Sequence, residues 1–391
     1  NGPAGLALSA FLSGVLPYYN PNAPHPDPTV DEKLRENLCQ SLIDQDLKWC
    51  ETIEFLGGSS RPLSILYDSL VRPGADVGAQ ISSRLLWQTD ERRQIPHLVL
   101  GETAVGGSWN NYDPEMIALS SSSWLDLPGL SISDWLQGTP LISRLSLSLC
   151  TLSQYHRRLM TCDEKSSHSH TFLHFKKTGG VWSVSGKRLD GMSFSYTANH
   201  VILACGLMKK RPLEVFLTTF IFIIQRYSYV YSVRVVVVGD GITSADAVRV
   251  CLEHEVPVLH LMRRTERQIQ NSVLSRLSPL HYLEYHSIYR LMIGKDSHPL
   301  YVKRHASSII SVDENSEKCS LLVVCIGRVS DFDGILVGKY TFTGYHSEED
   351  PTLMRVGSFA GDNLVRYIVG GCLDVARSLH NLYRNKNSSA M

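Results

Sequence analysis

The chain has 391 residues, enough for two or three domains, and its 38 basic residues balance its 38 acidic residues. A net charge of zero gives no electrostatic reason to expect nucleic acid or an anionic membrane as a partner. Hydrophobic residues make up 43% of the chain and charged residues 19%, which is typical of a globular protein and excludes general disorder. The cysteines include no C-x-x-C pair, so we predict no dithiol redox motif and no zinc ribbon, and expect a reducing intracellular compartment.

The chain opens with the glycine-rich turn Asn1-Gly2-Pro3-Ala4-Gly5, and apolar residues at helical spacing continue to Leu16. Such a turn, at the start of a helix, directs backbone N–H groups towards a phosphate, as in sites that hold FAD. Because it normally follows a strand, we expect residues upstream of this chain in the complete protein. Four prolines in residues 20–29 predict a loop, and residues 31–95 are expected to be mostly helical.

An apolar strand is predicted just before residue 101, and Glu102, Gly106, Gly107 and Trp109 follow it. Residues 101–108 nearly match the phosphate loop of nucleoside triphosphatases, but Gly107 stands where that loop needs lysine, so this function is not supported. We interpret the Gly-Gly-x-Trp segment as a backbone turn that lies against a flat cofactor. A purely structural turn is the alternative.

The clearest motif lies at residues 235–244, where four valines lead into Gly239-Asp-Gly241-Ile-Thr-Ser244 and then a predicted helix. The first glycine allows the tight turn, and the second lets the backbone approach a pyrophosphate. The small third residue lets the helix pack closely on the strand. The motif predicts a dinucleotide site, with a tight structural turn as the alternative.

Arg263 and Arg264 end the next predicted strand, where NAD-binding proteins usually carry an acidic residue for the ribose hydroxyl. Guanidinium groups suit a 2′-phosphate, so we predict NADPH rather than NADH. A solvated basic pair is the alternative. The apolar run at 213–224 is too short for a membrane span, which needs roughly 20 residues, so no transmembrane segment is predicted.

Asp362 and Asn363 stand at the predicted start of the last helix. There an acidic residue can accept hydrogen bonds from a ribityl chain while helix N–H groups face a flavin carbonyl, although an ordinary helix cap fits equally well. His168, His170 and His174 lie in a polar hairpin without metal-ligand spacing, so no metal site is predicted. Neither G-x-S-x-G nor H-E-x-x-H occurs, which leaves hydrolase chemistry without a motif.

Two dinucleotide turns, a Gly-Gly-x-Trp between them and a late Gly-Asp resemble flavoproteins with two dinucleotide-binding domains, which include the flavin-containing monooxygenases. The chain is more similar to the oxidative-stress-induced growth inhibitor family, over blocks spread along nearly its whole length. These blocks are NGPAGLALSAFLSG (1–14), SLIDQDL (41–47), IPHLVLG (95–101), GGSWN (106–110), SSSWLDLPGL (121–130) with DW (134–135), VVVVGDGITSADAV (235–248), VPVLHLMRR (256–264), HYLEYHSIYRLM (281–292) and GSFAGDNLVRYIVGG (357–371).

The resemblance implies an α/β fold of two Rossmann-like dinucleotide-binding domains. The FAD domain is expected at residues 1–206 plus 318–391, with a helical insertion at about 20–95, and the NADPH domain at 207–317. The family's cofactor-binding positions carry over to Gly2, Pro3, Ala4 and Gly5 for the first turn, Glu102, Gly106, Gly107 and Trp109 for the second flavin segment, Gly239, Gly241, Ser244, Arg263 and Arg264 for NADPH, and Asp362 and Asn363 for the last flavin segment.

The resemblance further implies an FAD-dependent, NADPH-consuming monooxygenase linked to growth, differentiation, cell death and cytokinesis under oxidative stress. The expected location is the cytoplasm, with the midbody implied by the family, and regulatory protein partners are expected; the substrate is left open. Residues 207–232 depart from the family's linker and lack the F-x-G-x-x-x-H monooxygenase fingerprint. A catalytically weak or inactive nucleotide-binding scaffold therefore remains the alternative, whereas a flavin disulfide reductase is disfavoured because there is no C-x-x-C.

Overall fold

The computed structural model describes residues 1–53, 61–74, 79, 81–111, 122–132, 166–167, 170–188, 190–207, 209–210, 234–277, 279, 282–307, 320–329, 336 and 338–388. The chain divides into two compact units, Asn1–Leu207 with Phe332–Met391, and Met208–Asp331. His168, the apolar run at 213–224 and most of the segment 207–232 lie outside the described residues.

Three helices begin with a proline, whose missing N–H is not needed in the first helical turn. In the described parts of the chain the α-helices are α1 (Pro3–Leu12), α2 (Pro28–Arg35), α3 (Pro62–Val71), α4 (Ile242–Glu253), α5 (Glu266–Ile269), α6 (Leu283–Met292) and α7 (Val365–Ser388). None of these helices combines the length and the apolar character that crossing a membrane requires.

The strands of the same residues are β1 (Val15–Tyr19), β2 (Leu85–Thr89), β3 (Val99–Leu100), β4 (Ser166–Ser167), β5 (His170–Thr178), β6 (Val181–Arg188), β7 (Ser193–Ala198), β8 (Val201–Leu203), β9 (Lys209–Lys210), β10 (Val235–Val238), β11 (Val258–Leu261), β12 (Tyr301–Arg304), β13 (Leu321–Val324), β14 (Arg328–Val329), β15 (Phe342–Thr343), β16 (His346–Ser347) and β17 (Leu353–Arg355).

The first helix ends earlier than its apolar spacing predicts. The spacing continues to Leu16, but α1 ends at Leu12, and Gly14 adopts φ +89° while its N–H donates to Phe11 O at 3.1 Å. A Cβ at Gly14 would lie 2.2 Å from Asp90 O, so the tight turn requires glycine there. The chain then runs into β1, which pairs antiparallel with β2. The helical insertion predicted at 20–95 therefore contains a strand as well as α2 and α3.

The core of the first unit forms where α1 and α3 pack against α7. Leu6 and Phe11 of α1 are fully buried, and α3 packs tightly on α7 at Gly370, where a Cβ would lie 2.5 Å from Ser64 Cα. Beside these helices, β17 pairs in parallel with β8 in the sheet of order β15-β16-β17-β8. This arrangement places the N-terminus of α1 next to the ends of β3 and β8.

The second unit is built around a parallel sheet of order β12-β11-β10-β13. In chain order α4 connects β10 to β11, and α6 lies between β11 and β12, as expected for consecutive βαβ units. Val235, Val237, Val248 and Met292 form part of a separate apolar core there. The central strand β10 (Val235–Val238) reads as a continuous apolar run because both faces of a parallel sheet are covered, whereas the edge strand β12 (Tyr301–Arg304) ends in two charged residues.

The return of the chain to the first unit differs from the predicted boundary. The prediction placed it at residue 318, but β13 pairs in parallel with β10, Leu321 opposite Val235, so it belongs to the second unit. The contacts within each unit place the return of the chain to the first unit at Phe332. An apolar run predicts a strand but does not indicate which sheet the strand joins.

Candidate functional site

The turn after β10 has the geometry of a dinucleotide-binding turn, and its first glycine is obligatory. Gly239 adopts φ +134°, a conformation that L side chains rarely reach, and its N–H donates to Leu261 O at 3.0 Å. A Cβ at this position would lie 2.2 Å from Cys325 O. Any other residue at position 239 would therefore displace the backbone of Cys325, directly after β13.

The second glycine of the turn serves access rather than packing. Gly241 is the N-cap of α4 with φ −104°, and among the described residues no side chain caps the helix and no atom would lie within 4 Å of a Cβ at this position. Ser244 is fully buried and its Oγ donates to Gly241 O at 2.7 Å, which holds the first turn of the helix. The N–H groups at the start of α4, which have no acceptor within the helix, thus border open space. This arrangement fits a pyrophosphate.

The two arginines after β11 have different surroundings. Arg264 donates to Asp240 Oδ1 at 2.7 Å and to the carbonyl oxygen of Asp240 at 3.1 Å, whereas Arg263 is exposed. Burial acts to raise the pKa of Asp240, but the hydrogen bond and the charge of Arg264 outweigh it and leave this pKa below its usual value. The predicted pair is therefore divided. Arg264 braces the turn, and Arg263 is the arginine left facing solvent, where a 2′-phosphate can reach it.

In the first unit, the N-terminal turn and the Gly-Gly-x-Trp segment lie against each other. Gly2 is the extended N-cap of α1 and Pro3 its first residue, without a side-chain cap. Gly106 N donates to Asn1 O at 2.9 Å, and a Cβ at Gly107, whose φ is +61°, would lie 2.6 Å from Gly2 Cα. The contact depends on the facing glycines Gly2 and Gly107, which have no side chains. Only backbone groups therefore line the N-terminus of α1 on this side, as a phosphate site requires.

The rest of the second segment is held by a residue that the sequence did not single out. Asn110 Nδ2 donates to the carbonyl oxygens of Ala104, Val105 and Gly107 at 3.0, 3.1 and 3.1 Å. Trp109 packs, partly buried, against the core of the first unit, and Glu102 is exposed. The segment is thus a rigid backbone turn, and Trp109 contributes to the core.

A third segment completes the surroundings of α1. Gly357 adopts φ +69°, and a Cβ there would lie 2.7 Å from Ala4 Cβ. Cys372 Sγ donates to Ala4 O at 3.2 Å. A Cβ at Gly5 would make ordinary contacts of 3.7 Å with Ala204 Cβ and 3.8 Å with Val99 Cγ1, so the helix packs closely on the strand ends there. Gly357 is not among the cofactor-binding residues predicted from the sequence, although it begins the matching block GSFAGDNLVRYIVGG (357–371).

The late acidic residue is enclosed. Asp362 is 2% exposed, pairs with Arg61, and accepts a hydrogen bond from Tyr345 OH on Oδ1 at 3.3 Å. Its Oδ2 has no hydrogen-bond partner among the described residues and lies against Gly371, where a Cβ would approach it to 2.6 Å. Asn363 is exposed. Asp362 is therefore in a buried ion pair rather than at an open flavin surface, because Arg61, distant in sequence, covers it.

The described residues contain no group of three or more His, Cys, Asp or Glu placed to hold a metal ion. No protein-family model matches the chain. Among solved structures, it is similar to the bacillithiol disulfide reductases of Bacillus cereus (TM-score 0.52, 14% identity, 72% of this chain and 91% of that chain) and Staphylococcus aureus (0.51, 13%, 82% and 95%). At such identities the likeness shows the fold alone. It confirms the predicted α/β fold with two Rossmann-like dinucleotide-binding domains.

Curated relatives match the chain along its length. The Caenorhabditis elegans oxidative stress induced growth inhibitor homolog is 43% identical over 100% of this chain and 95% of its own length. Human oxidative stress-induced growth inhibitor 1 is 30% identical over 97% of this chain and 93% of its own length. Both identities extend over both units, so they concern the whole architecture. The chain belongs to the oxidative-stress-induced growth inhibitor family.

Proposed function

We propose that this protein is an FAD-dependent, NADPH-consuming monooxygenase that acts in growth control under oxidative stress. The observation that carries the proposal is the second-unit turn, in which Gly239 is sterically required while Gly241 borders open space at an uncapped helix N-terminus. Packing alone explains the first glycine but not the second. A ligand with a pyrophosphate explains both.

The chain's own groups have separable tasks in this proposal. Backbone N–H groups at the start of α4 bind the NADPH pyrophosphate, and Arg263 binds the 2′-phosphate. The N-terminus of α1 beside Gly2 and Gly107 binds the FAD pyrophosphate. Bound FAD would supply electron transfer from NADPH to O₂, so that one oxygen atom enters the substrate and the other leaves as water. We assign no catalytic base, because bound FAD would carry the difficult chemistry.

The family name supports the link to growth inhibition, and the resemblance extends the proposal to cell death, differentiation and cytokinesis, with a cytoplasmic or midbody location and regulatory protein partners. A nucleotide-binding scaffold with weak or no turnover is the second candidate. The enclosure of Asp362 by Arg61 favours it, because that ion pair withholds the carboxylate from a flavin ribityl chain.

Anaerobic reduction tests the proposal. The full chain is purified, incubated with FAD, separated from free FAD and mixed with NADPH while the visible absorbance of oxidised flavin is followed. We expect bleaching in the wild type. In Gly241→Ala we expect the same flavin content and circular dichroism, but NADPH affinity lower by about tenfold or more, because the methyl group occupies the space of the pyrophosphate. Bound flavin that NADPH does not reduce would refute the enzyme and favour the scaffold.

A further inference from the structure

A fully buried histidine lies directly beneath the dinucleotide turn. His260, on β11, is 0% exposed, and its Nε2 lies 2.7 Å from Gly239 O. Its Nδ1 lies 2.9 Å from Tyr301 OH on the neighbouring strand β12. Both ring nitrogens are thus within hydrogen-bond distance of a partner. A histidine in a sheet interior has no hydrophobic reason to be there, since leucine or valine would pack without a polar cost.

The partners determine the proton positions on the ring. A carbonyl oxygen only accepts, so Nε2 carries the hydrogen and donates to Gly239 O. Nδ1 then accepts from the Tyr301 hydroxyl. This neutral tautomer satisfies every polar atom of the imidazole. Burial also lowers the pKa of His260 from 6.5 to about 4, which keeps the ring neutral at physiological pH.

The contact with the carbonyl orients the peptide that follows. In a trans peptide the C=O and the next N–H point in opposite directions, and the described residues contain no cis peptide. The Gly239 carbonyl points towards His260, so the Asp240 N–H points away from His260. Gly239 N–H is already bonded to Leu261 O and its Cα faces Cys325 O. Among the described residues, His260 therefore restrains the carbonyl side of this glycine, which no backbone hydrogen bond in that part of the chain holds.

We propose that His260 is a positioning residue for the dinucleotide: by holding Gly239 O, it directs the Asp240 amide towards the pyrophosphate of NADPH. The inference rests on the proposed NADPH site and deepens it. Asp240 itself is fixed from the other side by Arg264. The turn is thus held by His260 at the carbonyl of Gly239 and by Arg264 at Asp240. The ligand therefore meets backbone N–H donors that are already in position.

NADPH affinity of the full-length variants, followed through NADPH fluorescence, tests this role. His260→Leu leaves a buried carbonyl unpaired, and we expect NADPH binding about tenfold weaker. His260→Gln places an amide N–H near the position of Nε2, and we expect binding within about threefold of wild type. Tyr285→Phe is the matched control, because it removes the 2.6 Å hydrogen bond to Asp246 in the same unit without touching the turn.

The outcomes separate the two proposals. A wild type that does not bind NADPH overturns the proposed function and this inference together. Equal NADPH affinity in His260→Leu and wild type, or equal losses in His260→Leu and His260→Gln, overturns the inference alone. If His260→Leu does not fold, the ¹⁵N shifts of the imidazole in the wild type decide, since the proposal requires a neutral ring protonated on Nε2. A ring protonated on Nδ1 would overturn it.

Discussion

The unfolding free energy of the second unit should depend on pH through His260. Burial is the largest effect on this side chain and lowers its pKa from 6.5 to about 4, against smaller raising effects of Gly239 O and Asp240 and a lowering effect of His305. Below pH 6.5 the unfolded chain therefore binds a proton that the folded chain does not accept. Stability is complete above pH 6.5 and is lost as the pH falls towards 4.

The size of the effect follows from the two pKa values. Lowering the pH from 7 to 5 should cost about 2 kcal/mol of unfolding free energy at this single group, and about 3 kcal/mol by pH 4. Below about pH 4 the folded protein also accepts the proton and the loss ends. The lowered pKa of Asp240 acts only below its ordinary value of 3.8, outside this window.

Denaturant unfolding of the nucleotide-free full chain at pH 7, 6 and 5 measures the effect, in wild type and in His260→Gln. Glutamine does not titrate, so the wild type should lose about 2 kcal/mol more than the variant between pH 7 and 5. Other buried histidines with lowered pKa values, His25 and His380, lie in the first unit and are common to both proteins, so they cancel. Parallel pH dependence in the two proteins would refute the reasoning.

Substitutions at five positions separate packing from binding. Gly239→Ala should prevent correct folding of the second unit, which would be seen as loss of its cooperative unfolding transition. Gly241→Ala should leave that unfolding transition in place. If both variants unfolded alike, the steric argument would be contradicted. Arg263→Ala should weaken NADPH binding by roughly tenfold and leave the affinity for NADH unchanged. Arg264→Ala should weaken the binding of both nucleotides. Titrations with NADPH and with NADH distinguish these two patterns. Gly357→Ala should destabilise the first unit by about 1–3 kcal/mol and reduce the FAD content of the protein. The reason is that Gly357 adopts φ +69° and a methyl group there would approach Ala4 of α1. A variant that is as stable as wild type and saturated with flavin would contradict this prediction.

The second-unit turn could be predicted from sequence because its determinants are local. Four valines, two glycines and a small residue at fixed spacing specify strand, turn and helix without help from distant residues. The structure has β10 at Val235–Val238 and α4 at Ile242–Glu253, as the pattern indicates. The contact of His260 with Gly239 could not be predicted in this way, because nothing in a single sequence says that this side chain lies against the turn.

Features that depend on distant pairing were not predictable in the same way. The strand β1 continues the apolar spacing of α1, and only its pairing with β2, some seventy residues later, makes it a strand. The enclosure of Asp362 by Arg61 and the division of tasks between Arg263 and Arg264 likewise need the fold. In each case the residue types are evident from the sequence, but the distant residue that determines their surroundings is not.

The contacts around α1 have a consequence for the order in which the molecule is assembled. The N-terminal turn is completed by Gly106 and Gly107 and by Gly357, so three stretches separated by about a hundred and by about two hundred and fifty residues must meet before it exists. The ribosome makes the last of these long after the first, and such long-range closure is slow. Flavin loading should therefore follow synthesis, whereas the turn at 239–244 contacts Leu261, Arg264 and Cys325, all of which are made before Gly357, so it can form while the chain is still emerging.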